Sequence, residues 1–251
     1  MRHRKYAACI LAVAVLSAAS QLARASGAYL KQAEVTESNG TVRITANSPR
    51  PLEQVLDALN LKYKWNVDYE DPQFVSKLDL VIAEGPDIRL LPGGMQFSVE
   101  FPAGMEEEKV LRAILDSYNS STNPGRFELR KSEHGEYSVV GSQARNVHGQ
   151  LARQHVPFDA QITIATQKRS ISDTLKLICR KVATQEHITI DLGVSPRNLL
   201  NNNEVTVGGS RASARNLLLQ ALASTDRHLY WRLLFDPNTK GYLFNVHLMP
   251  K

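Results

Sequence analysis

Apolar and polar positions trace one order of elements twice along this chain. In the first pass, Thr41-Val42-Arg43-Ile44-Thr45 alternates as a half-buried strand does. Asn47-Ser48-Pro49-Arg50-Pro51 interrupts it, and Pro51 suits a first helical turn, where its missing N–H costs nothing. Leu52, Val55, Leu56 and Leu59 then share one helical face. Trp65-Asn66-Val67-Asp68-Tyr69 and Phe97-Ser98-Val99-Glu100-Phe101 return to strand alternation. Val110, Leu111, Ile114, Leu115 and Tyr118 make a second helical face. Phe127-Glu128-Leu129 and Tyr137-Ser138-Val139 flank a Ser132-Glu133-His134-Gly135 turn and predict a closing hairpin.

The second pass repeats that order. Ile162-Thr163-Ile164 reads as the strand, and Ser170 with Asp173 as a helix capping box. Ile171, Leu175, Ile178 and Val182 form the stripe, followed by the strands His187-Ile188-Thr189-Ile190-Asp191 and Val205-Thr206-Val207. Ala214, Leu217, Leu218, Ala221 and Leu222 line the second helix. Residues 230–235 and 242–246 close a hairpin around Asp236-Pro237-Asn238-Thr239-Lys240-Gly241. The expected fold class is α+β: two small two-layer modules, each a short mixed sheet packed against two helices, over residues 26–141 and 158–251. Residues 142–157, rich in Ser, Gln, Asn, Gly and Arg, read as a linker.

The two passes differ most between their middle strands. Val67 to Val99 spans 32 positions and Ile190 to Val205 only 15, so the first module carries an insertion near residues 70–96. Within it, Leu78-Asp79-Leu80-Val81-Ile82 reads as a further strand, and an exposed edge there would suit strand addition by a partner.

The N-terminus sets the compartment. Arg2, Arg4 and Lys5 precede an apolar core from Ala7 through Ala19, and Ala23-Arg24-Ala25 offers small residues for cleavage after Ala25. This is the layout of a secretory signal peptide over residues 1–25. Its apolar core falls short of the roughly 20 residues that span a bilayer. The expected location is therefore the periplasm, with no membrane-spanning segment after cleavage. Cys9 lies inside that signal and leaves Cys179 as the one later cysteine, which excludes an internal disulfide.

Removing the signal also changes the charge. The whole chain carries +5, but residues 1–25 hold four basic residues and no acidic ones, which leaves +1. Residues 26–145 hold 13 Lys/Arg against 18 Asp/Glu, and residues 146–251 hold 13 against 7. An acidic half beside a basic half suits intramolecular docking or head-to-tail association, although two independently solvated surfaces account for it as well.

Chemistry-bearing constellations are sparse. His134, His148, His155, His187, His228 and His247 are scattered and show no metal-ligand spacing. Cys179 adjoins an apolar helix stripe and reads as a buried, inert thiol. Glu106-Glu107-Glu108 is explained by a helix N-terminus, which favours carboxylates. Gly208-Gly209-Ser210, with Arg211 and Arg215 nearby, lacks the P-loop lysine and reads as a turn and N-cap. Trp65 and Trp231 fall on corresponding-looking strands and read as core or sheet-face residues. No catalytic, cofactor or metal residue is assigned, and no cofactor, enzymatic activity or nucleic-acid partner is expected.

Pro51-Leu52-Glu53-Gln54-Val55-Leu56-Asp57-Ala58-Leu59 followed by Trp65-Asn66-Val67-Asp68-Tyr69 resembles the secretin and TonB short N-terminal (STN) domain. The second module is similar to the related ring-building modules that precede a secretin pore. Neither the pore nor a TonB-dependent barrel follows before Lys251. The resemblance implies a non-catalytic periplasmic protein–protein interaction module, with a protein of a secretion, pilus or envelope assembly as partner. The alternative is a binding module for an anionic envelope component, using Arg197, Arg211, Arg215, Arg227 and Arg232 of the basic half.

Overall fold

A computed structural model describes residues 32–82, 88–133 and 135–250. The signal expected at residues 1–25 lies outside them. The first half runs β1 (Glu34–Ser38), β2 (Thr41–Asn47), α1 (Pro51–Tyr63), β3 (Val67–Glu70), β4 (Val81–Ile82), β5 (Arg89–Leu90), β6 (Gln96–Pro102), α2 (Glu107–Asn119), β7 (Arg126–Lys131) and β8 (Tyr137–Arg145). After β9 (Leu151–Arg153) and a 3-10 turn come β10 (Gln161–Ser170), α3 (Ile171–Glu186), β11 (Ile190–Leu192) and α4 (Arg197–Asn202). The chain ends on β12 (Glu204–Ser213), α5 (Ala214–Ala223), β13 (Leu229–Asp236) and β14 (Gly241–Leu248). The class is α+β. Among the described residues no helix is long and apolar enough to cross a membrane.

Strand pairing makes the repetition concrete. In the first half β2 pairs antiparallel with β6, β3 parallel with β8, and β7 antiparallel with β8. In the second half β10 pairs antiparallel with β12, β11 parallel with β14, and β13 antiparallel with β14. The same connectivity therefore occurs twice. The helices form where the sequence puts apolar stripes: Leu52, Val55, Leu56 and Leu59 of α1 and Ile171, Leu175, Ile178 and Val182 of α3 are all buried. Ser170 Oγ accepts from Asp173 N at 3.0 Å, which satisfies one of the orphan N–H groups of α3.

The halves are not joined by a free connector. β13 pairs parallel with β3, Arg232 opposite Tyr69 and Leu233 opposite Glu70, so the main sheet runs β11-β14-β13-β3-β8-β7. Residues 142–157, expected as a linker, complete β8, turn, and pair β9 back onto it at Gln143 to Arg145. Polar composition misled there because alternate residues of an edge hairpin face water.

Alternation places the two cores on opposite faces of this sheet. Val67, Tyr69, Phe127 and Val139 join α1 and α2 in one core, whereas Trp231, Leu233, Phe235 and Phe244 join α3 and α5 in the other. Since Tyr69 is level with Arg232 and Glu70 with Leu233, each half sends alternate side chains into its neighbour's layer. Asp68 and Glu70 point toward the second core, Arg232 and Leu234 toward the first.

Three local expectations change. Gly208-Gly209-Ser210 is strand, not a turn before a helix: it lies inside β12, where added Cβ atoms at Gly208 would come within 2.4 Å of the Thr166 backbone. His187 is the left-handed C-cap of α3 (φ 54°), and the strand begins only at Ile190. Trp65 precedes β3 and stacks on Tyr63 with centroids 5.0 Å apart, while Trp231 is fully buried in β13, so the tryptophans are not equivalent.

Candidate functional site

The Val67-Asp68-Tyr69-Glu70-Asp71 stretch puts three carboxylates in buried backbone, and each meets a group from the second half. Asp68 Oδ1 accepts Trp231 N at 2.9 Å. Glu70 Oε2 accepts from Arg215 at 2.7 Å, and Glu70 Oε1 from Phe158 N at 3.1 Å. Asp71 Oδ2 takes both Arg50 Nε at 2.6 Å and Phe235 N at 2.9 Å, while Asp71 N donates to Leu233 O. On the opposite face Arg232, fully buried, donates to Asp57 Oδ1 at 2.6 Å and to Val67 O at 2.8 Å. Its guanidinium also lies 4.6 Å from the Tyr230 ring centroid.

Opposite charges of the two halves meet at this seam: buried Glu70 and half-buried Asp57 of the first are paired with Arg215 and Arg232 of the second. Both arginines had been candidates for an anion-binding surface. Burial and ion pairing withdraw them from it, leaving Arg197, Arg211 and Arg227 of that set. The sequence marks some of these charges without pairing them. Arg232 interrupts the apolar run of residues 229–235, and Asp68 and Glu70 alternate with Val67 and Tyr69, with opposite sign.

Burial raises the Asp68 carboxyl to about 7, against the Trp231 N–H and the two arginines, and Asp68 Oδ2 has no hydrogen-bond partner. Glu70 is shifted upward by the same cause. A raised carboxyl means the folded chain holds its proton more tightly than the unfolded chain. Stability should therefore fall as pH rises from about 4 to about 7, then level off. Asp68→Asn keeps an acceptor for Trp231 N and should flatten that slope by roughly 2–4 kcal/mol across the window. Urea midpoints of both proteins at pH 5 and pH 8 check this. Equal pH dependence in the two would contradict it.

A second feature lies at one end of the sheet. The insertion crosses β8, where Gln73 and Gln154 exchange two hydrogen bonds (2.6 and 3.0 Å). Asp79, 3% exposed, forms an ion pair with Arg145. These contacts place Leu78 against Gly149 in the turn between β8 and β9. Leu78 is nevertheless 72% exposed, and Val147 and Leu151 of the same turn and strand are exposed at 70% and 49%. The insertion thus carries an apolar tip on an ordered base. Of the strand expected at residues 78–82, only Val81–Ile82 is extended, paired with β5.

The remaining candidates stay apart. Cys179 is buried and its thiol is pushed up to about 12, so it holds its proton. His155 pairs with Glu186 at 2.7 Å, and His247 stacks on Tyr230. Glu106 is the N-cap residue of α2, and Glu108 accepts hydrogen bonds from Arg112, Lys131 and Tyr137. Among the described residues no three His, Cys, Asp or Glu side chains converge as a metal site.

Fold and site together define an α+β protein in which one strand connectivity occurs twice and ionisable side chains link the two halves. Comparison with family models, with curated proteins and with solved structures returned no match.

Proposed function

We propose that this chain is a non-catalytic docking protein of the periplasm, acting as an accessory to a secretion, pilus or other envelope assembly. The observation that carries this reading is the apolar tip, where exposed Leu78 lies against Gly149 of the turn flanked by exposed Val147 and Leu151, on a base fixed by Asp79–Arg145 and Gln73–Gln154. Large apolar side chains grouped at a surface mark protein contacts more often than catalysis. The buried placement of the strongest charges supports the same reading, because it commits them to architecture. The layout of residues 1–25 supports a periplasmic compartment, and the resemblance to STN domains supports an envelope assembly as the setting.

A photo-crosslinking residue at position 78, introduced in the producing cell, tests the proposal. One discrete protein adduct is expected there and none at exposed Lys181 on α3. Leu78→Asp with Val147→Asp should reduce the adduct, captured from a crosslinker at Leu151, at least about tenfold without unfolding the chain. Absence of an adduct at position 78, or equal yield from Lys181, would overturn it.

A further inference from the structure

The internal junction is a template for contact between molecules. Within one repeat the first and middle strands run parallel and the third opposes them: β3, β8, β7 and likewise β11, β14, β13. Because β13 is parallel to β3, passing from one repeat to the next reverses the strand directions and moves the helices to the other face. In strand direction and helix face the repeats are thus related as by a half-turn about the hydrogen-bonding direction with a shift along it, to which the sheet adds its twist. A second such step restores both strand direction and helix face. It would bring β7, one end of the sheet, beside β11, the other end, of a second molecule.

Both ends are open. β7 borders a groove of about 320 Å³ lined by Leu115, Asn119 and Leu129. β11 borders one of about 360 Å³ lined by Lys176, Arg180 and Leu192. Tyr242 N donates to Thr189 O and Gly193 N to Phe244 O, so the backbone groups of Ile190 and Leu192 face the open side. Every residue of β3, the matching strand, is buried, whereas Asp191 and Leu192 are exposed.

We propose that the molecule associates with a second copy of itself head to tail, β7 of one copy seating parallel to β11 of the next. Position matching supports this occupant. Buried Leu52, Val55, Leu56 and Leu59 of α1 correspond to Ile171, Thr174, Leu175 and Ile178 of α3, which sets Lys176 where α1 has Asp57. Core residues Phe127 and Leu129 correspond to Trp231 and Leu233, which sets Glu128 where β13 has Arg232. The Arg232–Asp57 pair of the internal junction becomes Glu128–Lys176 between copies, reversed in sign and still complementary.

The carboxylate ladder recurs as well. Asp191 stands where β3 has Asp68, the acceptor for Trp231 N, so it is placed to accept Phe127 N. In the single molecule Asn119 caps that N–H and the Phe127 carbonyl at 2.9 Å each, and it releases them when β11 arrives. Such a contact is heterologous and propagates instead of closing as a two-fold dimer does. This inference rests on the internal repeat and stands or falls apart from the docking role at the tip.

Sedimentation velocity over a concentration series, on the chain as purified from its producing cell, tests the contact. Association beyond the dimer is expected. Glu128→Lys and Lys176→Glu should each weaken it about tenfold, and the double variant should return to within about threefold of the parent. Both residues lie on exposed or half-buried surface, and thermal melts verify that each variant folds. A parent chain that stays monomeric throughout overturns the proposal. So does association that ignores both reversals, or single variants that the double variant fails to rescue. If the parent is monomeric and a foreign extended segment binds at β11, the occupant is another protein.

Discussion

Arg215→Ala is expected to destabilise the whole chain by about 3–5 kcal/mol, the range for breaking a buried ion pair from one side. Glu70 is 1% exposed at its side chain and would keep only the Phe158 N–H, with Oε2 left uncompensated. Asp159 would lose the same partner, and the Trp231 ring would lose the guanidinium 5.6 Å from its centroid. Since Glu70 belongs to the first half and Arg215 to the second, the loss should shift one common urea transition. Arg215→Met with Glu70→Gln should recover most of the loss, because it removes both charges and retains much of their volume. A single variant within 1 kcal/mol of the parent would show that the seam contributes little.

Gly141→Ala is expected to cost about 3 kcal/mol, at the upper end for overpacking. Its φ is not the reason. A Cβ there would lie 2.3 Å from Pro72 N and 2.3 Å from Pro72 Cδ, where the chain leaving β3 crosses β8. The obstacle includes backbone, which cannot swing aside as a long side chain can. The crossing also carries Gln73 and its bonds to Gln154, so the variant should loosen the apolar tip. Gly93→Ala meets nothing within 4 Å and serves as the neutral control. Thermal unfolding of the two variants checks the contrast, and equal midpoints would contradict it.

Much of each repeat was legible from periodicity, because amphipathic elements bury one face whatever lies beyond them. Leu52 to Leu59, Val110 to Tyr118 and the closing hairpins followed from local spacing. The joining of the repeats was not. Strand partners are chosen by tertiary packing, and nothing local in Arg232-Leu233 names Tyr69-Glu70 as its neighbour. The same limit hid the seam. Arg215 and Arg232 read as candidates for an anionic component because burial of a charge is visible only once its counter-charge is placed. Of the candidate surface, the sequence marked the 70–96 insertion by its length, but Val147 and Leu151 sat in a stretch read as linker. Their proximity to Leu78 depends on the β8–β9 pairing.

The fused sheet is tested most directly by amide hydrogen exchange at the junction. Asp71 N, bonded to Leu233 O at 2.8 Å, and the amide of Leu233 should exchange as slowly as the most protected core amides, through global unfolding. Ile190 and Leu192 on the β11 edge should exchange far faster at low protein concentration. If Asp71 and Leu233 exchanged as fast as the β11 edge, β3 and β13 would be separate edges and the one-sheet account would be wrong.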